Sequence, residues 1–272
     1  IYYAVTTLLS ASINEICIIC NEGDLPGYEA LLGDGSDFGS RVEFIIQHKP
    51  EGIPQAITLA SDFIGTEPLA LILGDNIFVD HGDIRECVEN FKSGATIFGI
   101  KVSQPEKYGV VEFNSKLKPT SLEEKPKNAK SSFAIPGFYL LDNNSLRLVK
   151  KLKKSSRGEF EIVDLLNIYL DVELLSLSLL SRGTGWIDAG TVDDLALASR
   201  YIEVIQQMHG IMIGSPHEAA LVRGFIDREG LLKYTQSLEQ SRYRKYLETV
   251  ARVDFECTSA NPSQKALREI DD

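Results

Sequence analysis

The stretch LALILGDNIF (69–78) runs five apolar residues into a glycine and an acid. An apolar run of strand length with no polar alternation is the signature of a strand covered on both faces. An ionised carboxylate inside such a layer is costly unless it is paired or bound to a cation, and the cost falls past the last buried residue. In open α/β sheets that carboxyl edge is where ligands bind. Asp75 and Asn76 also read as a turn pair, since both residue types tolerate turns. From these two residues alone the turn reading stands slightly ahead.

Working outward, helical and strand patterns alternate. AVTTLLSAS reads as helix, EICIIC as strand, PGYEALLG as helix, VEFIIQ (42–47) as strand and PQAITLASDFI (54–64) as helix before the 69–73 strand. GDIRECVENFK (82–92) is helical and GATIFGIKV (94–102) a strand. Strands separated by helices of this length predict βαβ units, hence an α/β fold with a doubly wound, mostly parallel sheet. Pro54 suits a first helical turn, which puts Gln55 at the mouth of the strand ending at Gln47, on the same sheet edge as Asp75. The chain opens at Ile1 directly in a helix, whereas units of such a fold begin with a strand, so at least one βα element is expected upstream.

The middle changes character. YGVVEFN (108–114), PTSLEEKP (119–126) and FAIPGFYLLD (133–142) are short strands with turn residues between them, which predicts an antiparallel addition. Helices near 145–153 and 160–170, a strand at 174–180 and a glycine-rich loop at 181–191 follow. Thr191 and Asp194 form a capping box of the Asp variety, and Val192, Leu195, Ile202 and Ile205 line one face of the next helix. The expected organisation is an α/β domain over 1–208, a helical C-terminal subdomain over 209–255 and a flexible tail over 256–272.

With 272 residues the chain can bury a large core. A net charge of −11 argues against a nucleic-acid polymer or an anionic membrane as partner, though not against a single nucleotide. No apolar stretch approaches the roughly 20 residues of a membrane span. Four cysteines do not make a disulfide framework. Cys17 and Cys20 sit three apart on a strand, facing opposite sides, and read as small core residues. A reducing, cytoplasmic compartment is expected. The histidines (His48, His81, His209, His217) are scattered without zinc spacing.

Three clusters fall where chain reversals or strand ends are expected. LEEKP holds Glu123, Glu124 and Lys125, which alone reads as a solvated charge run. SSRGEFEIVD places Arg157 just outside a helix whose first turn carries Glu159 and Glu161; its planar fork suits phosphate, and a structural salt bridge explains it equally well. In GTGWIDAGT, Thr191 can cap the helix by itself, which leaves Asp188 without that job, and Trp186 reads as a packing residue. Two aspartates at loop starts with a lysine and an arginine form a metal–phosphate set, since Mg²⁺ favours one or two carboxylates plus phosphate oxygens.

In this order, IYYAVTTLLSASI, LLGDGSDFG, EGIPQA, LILGDNIF, YGVVEF, LEEKP, GFYLLD, SRGEFEIVD and GWIDAGT resemble the glucose-1-phosphate thymidylyltransferases, nucleotidyltransferases of nucleotide-diphospho-sugar transferase fold. The resemblance runs from Ile1 to about Leu247. It implies transfer of a thymidylyl group from dTTP to glucose-1-phosphate by in-line attack, with dTDP-glucose and pyrophosphate as products. It further implies that Asp75 and Asp188 hold Mg²⁺ and that Lys125 and Arg157 meet the sugar phosphate. Asn76 falls among the substrate-binding positions, Glu124 and Tyr139 contact the sugar, Gly109 allows close approach and Gln55 reads the pyrimidine edge. A homotetramer or homodimer and a dTDP-rhamnose or related deoxysugar pathway are the expected setting.

The family's glycine-rich G-G-x-G-T-R loop and the lysine segment after it, which hold the triphosphate, do not occur in these residues. The expectation is that the full protein has them, and that the chain as written binds the triphosphate poorly. Val79–His81 also departs from the family near its regulatory nucleotide-sugar site, which makes feedback inhibition less safe to carry over. Two alternatives remain: a UTP-dependent uridylyltransferase, because thymine and uracil share one hydrogen-bonding edge, and a non-catalytic nucleotide-sugar-binding regulatory subunit.

Overall fold

A computed structural model describes residues 1–252; the tail expected over 256–272, and the last residues of the helical subdomain, lie outside them. The first part alternates: α1 (Tyr2–Ser10), β1 (Glu15–Cys20), α2 (Leu25–Leu32), β2 (Arg41–Ile46), α3 (Ile53–Leu59) with the short α4 (Ser61–Ile64), and β3 (Leu69–Ile72). Next come β4 (Asn76–Phe78), α5 (Gly82–Asn90), β5 (Ala95–Lys101), β6 (Gly109–Phe113), β7 (Pro119–Glu124), β8 (Phe133–Ala134) and β9 (Phe138–Leu141). The chain continues through α6 (Ser145–Leu148), α7 (Ile162–Asp171), β10 (Leu175–Leu179), β11 (Trp186–Asp188), α8 (Val192–His209), α9 (Pro216–Arg223), α10 (Arg228–Ser237) and α11 (Arg242–Val250).

Side-chain alternation explains the layers. On β5 and β9, Phe98, Phe138 and Leu140 enter one core with Leu9 of α1, Ile84 of α5 and Ala220 of α9. The intervening Ile97, Tyr139 and Leu141 enter a second core with Ile57 of α3 and Leu165 of α7. Helices therefore cover both faces, as the unbroken apolar runs predict. β3, β5 and β10 run in one direction, and β9 is wedged antiparallel between β3 and β5. The antiparallel addition thus sits inside the parallel set, and most pairings of this seven-stranded sheet are antiparallel. β1 and β2 pair in parallel as a separate two-stranded sheet. Their residues nonetheless alternate between the same two cores, Ile16 and Ile18 in the first, Cys17 and Ile19 against the second. Cys17 and Cys20, both free thiols, thus face opposite sides, and burial pushes the Cys17 thiol up to about 11.

Four expectations need correcting. β3 is only half-buried, because among the described residues one of its edges has no paired strand. The 54–64 helix breaks at Ala60 into α3 and α4. The 133–142 strand is interrupted around Pro136, which has no N–H to donate to a ladder, and becomes β8 and β9. On α8 the capping box forms, with Thr191 Oγ1 accepting from Asp194 N at 3.1 Å. The expected apolar face buries only in part: Val192 is 84% exposed and Leu195 55%, while Ile202, with Ala198, packs on Ile77 and Ile187. Only the middle of α8 crosses the small β4–β11 sheet, so among the described residues nothing covers its first turns.

α10 and α11 pack around Leu231, Leu247 and Val250, while α9 contributes Ala219 and Ala220 to the first core. No helix among the described residues is long and apolar enough to cross a membrane.

Candidate active site

Asp75 ends the loop after β3, and Asp188 ends β11. The antiparallel pairing of β4 with β11 sets Asn76 opposite Asp188, and the Ala189 N–H donates to the Asp75 carbonyl at 2.9 Å. Two carboxylates 113 positions apart in sequence are thereby brought to one lip of the sheet. Asp188 Oδ1 and Asp75 Oδ2 lie 3.0 and 3.5 Å from a single point, the place a Cβ on Gly190 would occupy. Burial raises the Asp188 carboxyl above its ordinary range, and the Asp75 charge raises it further.

Both aspartates line a cavity of about 260 Å³ that also takes in Lys125, Glu124, Gly109, Tyr139 and Arg157. Lys125 follows β7 with φ +43°, a left-handed backbone that few non-glycine residues adopt, and its N–H donates to the Tyr108 carbonyl at 3.0 Å. Such conformations persist where the surroundings over-determine them, and they cluster at functional sites. Arg157 is gripped by Glu161, with Nε at 3.1 Å and Nη2 at 2.6 Å from its two oxygens, and lies 3.7 Å from Glu124 Oε1. The salt bridge and the cavity position therefore coexist.

Glu124 is not a solvated charge. Burial raises its carboxyl, and the charges of Lys125 and Arg157 pull the other way. A Cβ on Gly109 would stand 3.2 Å from Glu124 Oε2, so the missing side chain makes room for that carboxylate. Tyr139 is 5% exposed, with its hydroxyl pushed up by burial and then by Glu124, Asp188 and Asp75.

Two positions differ from expectation. Gln55 is not on the cavity wall: its Oε1 accepts from Gln47 Nε2 at 2.6 Å and from the Glu51 N–H at 2.9 Å. Asn76 does line the cavity, yet it is 2% exposed and bonded to protein rather than open. Residues that sequence reading did not nominate also contribute. Lys107 and Tyr108 line both this cavity and a wider one beside it, which shares Asp75, Lys125 and Asp188. Their only signal is adjacency to Gly109. Glu161 reaches the wall from the N-cap of α7, and Trp186 packs edge-on against Tyr108 with ring centroids 5.1 Å apart.

Comparison with known proteins gives a consistent picture. Residues 1–204 match the nucleotidyl transferase family. A glucose-1-phosphate thymidylyltransferase of Mycolicibacterium smegmatis is 43% identical over 249 residues, spanning 91% of this chain and 86% of that protein. The enzyme of the same name from Xanthomonas campestris is 39% identical over 254 residues, spanning 93% and 86%. Among solved structures, a Bacillus anthracis chain assigned to the same activity, in complex with a sucrose, superposes with TM-score 0.68 at 40% identity, covering 74% of this chain and 81% of that one. A UDP-glucose pyrophosphorylase bound to UDP-glucose shares the fold at TM-score 0.65 and 20% identity, covering 75% and 86%.

Proposed function

This chain belongs to the nucleotidyl transferase family, and on that premise we propose that its cavity transfers a thymidylyl group from dTTP to glucose-1-phosphate. A phosphate oxygen of glucose-1-phosphate attacks the α-phosphorus of dTTP, the bond to the β-phosphate oxygen breaks, and pyrophosphate leaves with the electron pair. The products are dTDP-glucose and pyrophosphate, and the activity serves nucleotide-sugar biosynthesis. The observation that carries this reading is the convergence of Asp75, Asp188, Lys125 and Arg157 on one cavity, in a chain about 40% identical to thymidylyltransferases along most of its length.

The substrates supply nucleophile and leaving group, so the protein's work is positioning and charge neutralisation. Arg157, pre-oriented by Glu161, presents its planar fork to the sugar phosphate, and Lys125 adds a second cation. Glu124 and Tyr139 are suited to the sugar hydroxyls.

Asp75 and Asp188 fit Mg²⁺. The donor set is all oxygen, and burial together with the Asp75 charge disfavours the ionised Asp188 carboxyl, a cost that a cation between the two would offset. No group of three or more His, Cys, Asp or Glu among the described residues is placed to hold a metal. A two-carboxylate site leaves coordination positions for water and phosphate, which Mg²⁺ prefers. When bound, the ion would neutralise and clamp phosphate oxygens.

The test is pyrophosphate release by the full-length chain from dTTP, glucose-1-phosphate and Mg²⁺, with UTP in parallel. Faster release with dTTP supports the thymidylyl assignment, faster release with UTP replaces it by uridylyl transfer, and none with either favours a non-catalytic binder. A one-methyl difference in a pocket is worth about 1–3 kcal/mol, so a ratio of roughly 10–200 is expected.

We also infer a homo-oligomer, a dimer or tetramer, in the cytoplasm. Leu197, Val204, Met208 and Ile211 are exposed along one stripe of α8 and its exit, and the free thiols of Cys17, Cys20 and Cys87 suit a reducing compartment. Burying that stripe against a second copy would remove a row of large apolar side chains from water. Met208→Glu is expected to move the sedimentation-equilibrium mass toward the monomer. An unchanged mass would place the interface elsewhere.

A further inference from the structure

The side-chain amide of Asn76 ties three segments together. Its Oδ1 accepts from the Gly137 N–H at 2.8 Å, in the loop that enters β9, and from Trp186 Nε1 at 2.8 Å, on β11. Its Nδ2 donates to Asp75 Oδ1 at 2.9 Å. An amide oxygen has two lone pairs, and both are taken here by donors that cannot reverse their role. The orientation of the amide is thereby fixed, and its NH₂ group has to face Asp75.

This has a consequence for the carboxylate pair. With Asp75 Oδ1 held by Asn76, Oδ2 is the oxygen left facing Asp188, and it shares the neighbourhood of the Gly190 Cβ position with Asp188 Oδ1. Asp188 itself sits directly opposite Asn76 in the β4–β11 ladder. Space around the amide is tight: a Cβ on Gly137 would come within 2.9 Å of Asn76 Nδ2 and 2.7 Å of Leu73. One buried side chain thus controls both the rotamer of the first carboxylate and the docking of the strand that carries the second.

We propose that Asn76 is a positioning residue for the divalent cation, holding Asp75 Oδ2 toward Asp188 so that the two carboxylates meet one ion. This rests on the Mg²⁺ reading above and deepens it. It differs from a purely structural role, in which Asn76 would only join β4 to β9 and β11 and its loss would lower stability alone. It also differs from a sugar contact, which would act without metal.

Mn²⁺ is the probe, with free ion counted by electron paramagnetic resonance on the full-length chain and no substrate present. Removing a partner that orients a metal-binding carboxylate typically costs about 10–100-fold in affinity. Asn76→Ala is therefore expected to weaken Mn²⁺ binding at least about tenfold. In turnover its rate should be restored by added Mg²⁺, with the KM for glucose-1-phosphate little changed. Asn76→Ala that folds and binds Mn²⁺ like the parent overturns the proposal. Should that variant not fold, Trp186→Phe removes one donor to Oδ1 while keeping a ring against Tyr108; weaker Mn²⁺ binding supports the proposal and unchanged binding overturns it. Asp75→Asn separates the two readings. If it leaves Mn²⁺ affinity unchanged, the metal site itself fails; if it abolishes binding while Asn76→Ala does nothing, only the positioning role fails.

Discussion

Asp188→Asn is expected to lower turnover by about 10²–10³-fold, the usual loss when one preorganised electrostatic group is removed from a site, and at the same time to raise the unfolding midpoint. The second half follows from the sign of the pKa shift. Burial, and then the charge of Asp75, raise the Asp188 carboxyl, so the folded protein holds that proton more tightly than the unfolded chain does. The folding penalty is absent below the unfolded value near 3.9, sets in as pH rises through it, and is complete above the raised folded value. At neutral pH the apo fold carries all of it, and an amide of the same shape carries none. Steady-state pyrophosphate release and thermal denaturation at pH 7 check the pair of effects. Activity lost together with stability would make Asp188 a structural residue, and undiminished turnover would remove it from the metal site.

How these carboxylates could be found from sequence differs between the two. Asp75 was legible because the preceding apolar run has no alternation, which places the acid at a strand's end whatever the strand's neighbours are. β3 proves half-buried, yet the inference survives, since it depends on where the strand stops and not on how deeply it lies. Asp188 was legible only by elimination and by likeness, because β11 is three residues long and gives no periodic signal inside a glycine-rich loop. Its neighbour Trp186, read as packing, does pack on Tyr108 but also holds Asn76.

The harder cases depend on partners remote in sequence. Asn76 reads as a turn residue because its partners Gly137 and Trp186 are 61 and 110 positions away. Glu124 reads as one charge of a solvated run, since nothing local reveals that Gly109 leaves space for its carboxylate. Gln55 is placed beside the strand that ends at Gln47 by Pro54, and the amide of Gln47, eight positions earlier, does engage it. On α8 a 3.6-residue pattern exists without a surface to match its first turns, so periodicity alone overstates what is buried. Lys107, in a short turn before β6, carries no pattern at all.

Lowering the pH from 7 to 4 is expected to destabilise the protein by an amount to which His217 contributes on the order of 3 kcal/mol. In sequence His217 is one of four scattered histidines. In the fold it is 2% exposed, stacked on Tyr234 at 4.0 Å between centroids, edge-on to Phe38, and bonded through Nδ1 to the Tyr243 hydroxyl at 2.9 Å. Nε2 is buried with no hydrogen-bond partner among the described residues. The nearest carboxylate on its own helix, Glu218, is bonded to Tyr246 at 2.8 Å. Burial lowers the His217 pKa to about 4. Since the unfolded value is near 6.5, the neutral ring favours the fold fully above about pH 6.5, and that contribution drains away as pH falls toward 4. The ring belongs to α9, whose Ala219 and Ala220 pack in the first core beside α1. Protonation therefore strains the joint between the C-terminal helices and the α/β sheet, so amide exchange in α9–α11 should accelerate before that in β5 or β9. Denaturant titrations of the parent and of His217→Phe at pH 7, 5.5 and 4.5 measure the effect. The non-titrating variant should start lower, because Tyr243 loses a partner, and then fall less steeply with acid. Parallel losses in the two proteins would mean that the ring is solvated in both states and that the joint is held by apolar contact alone.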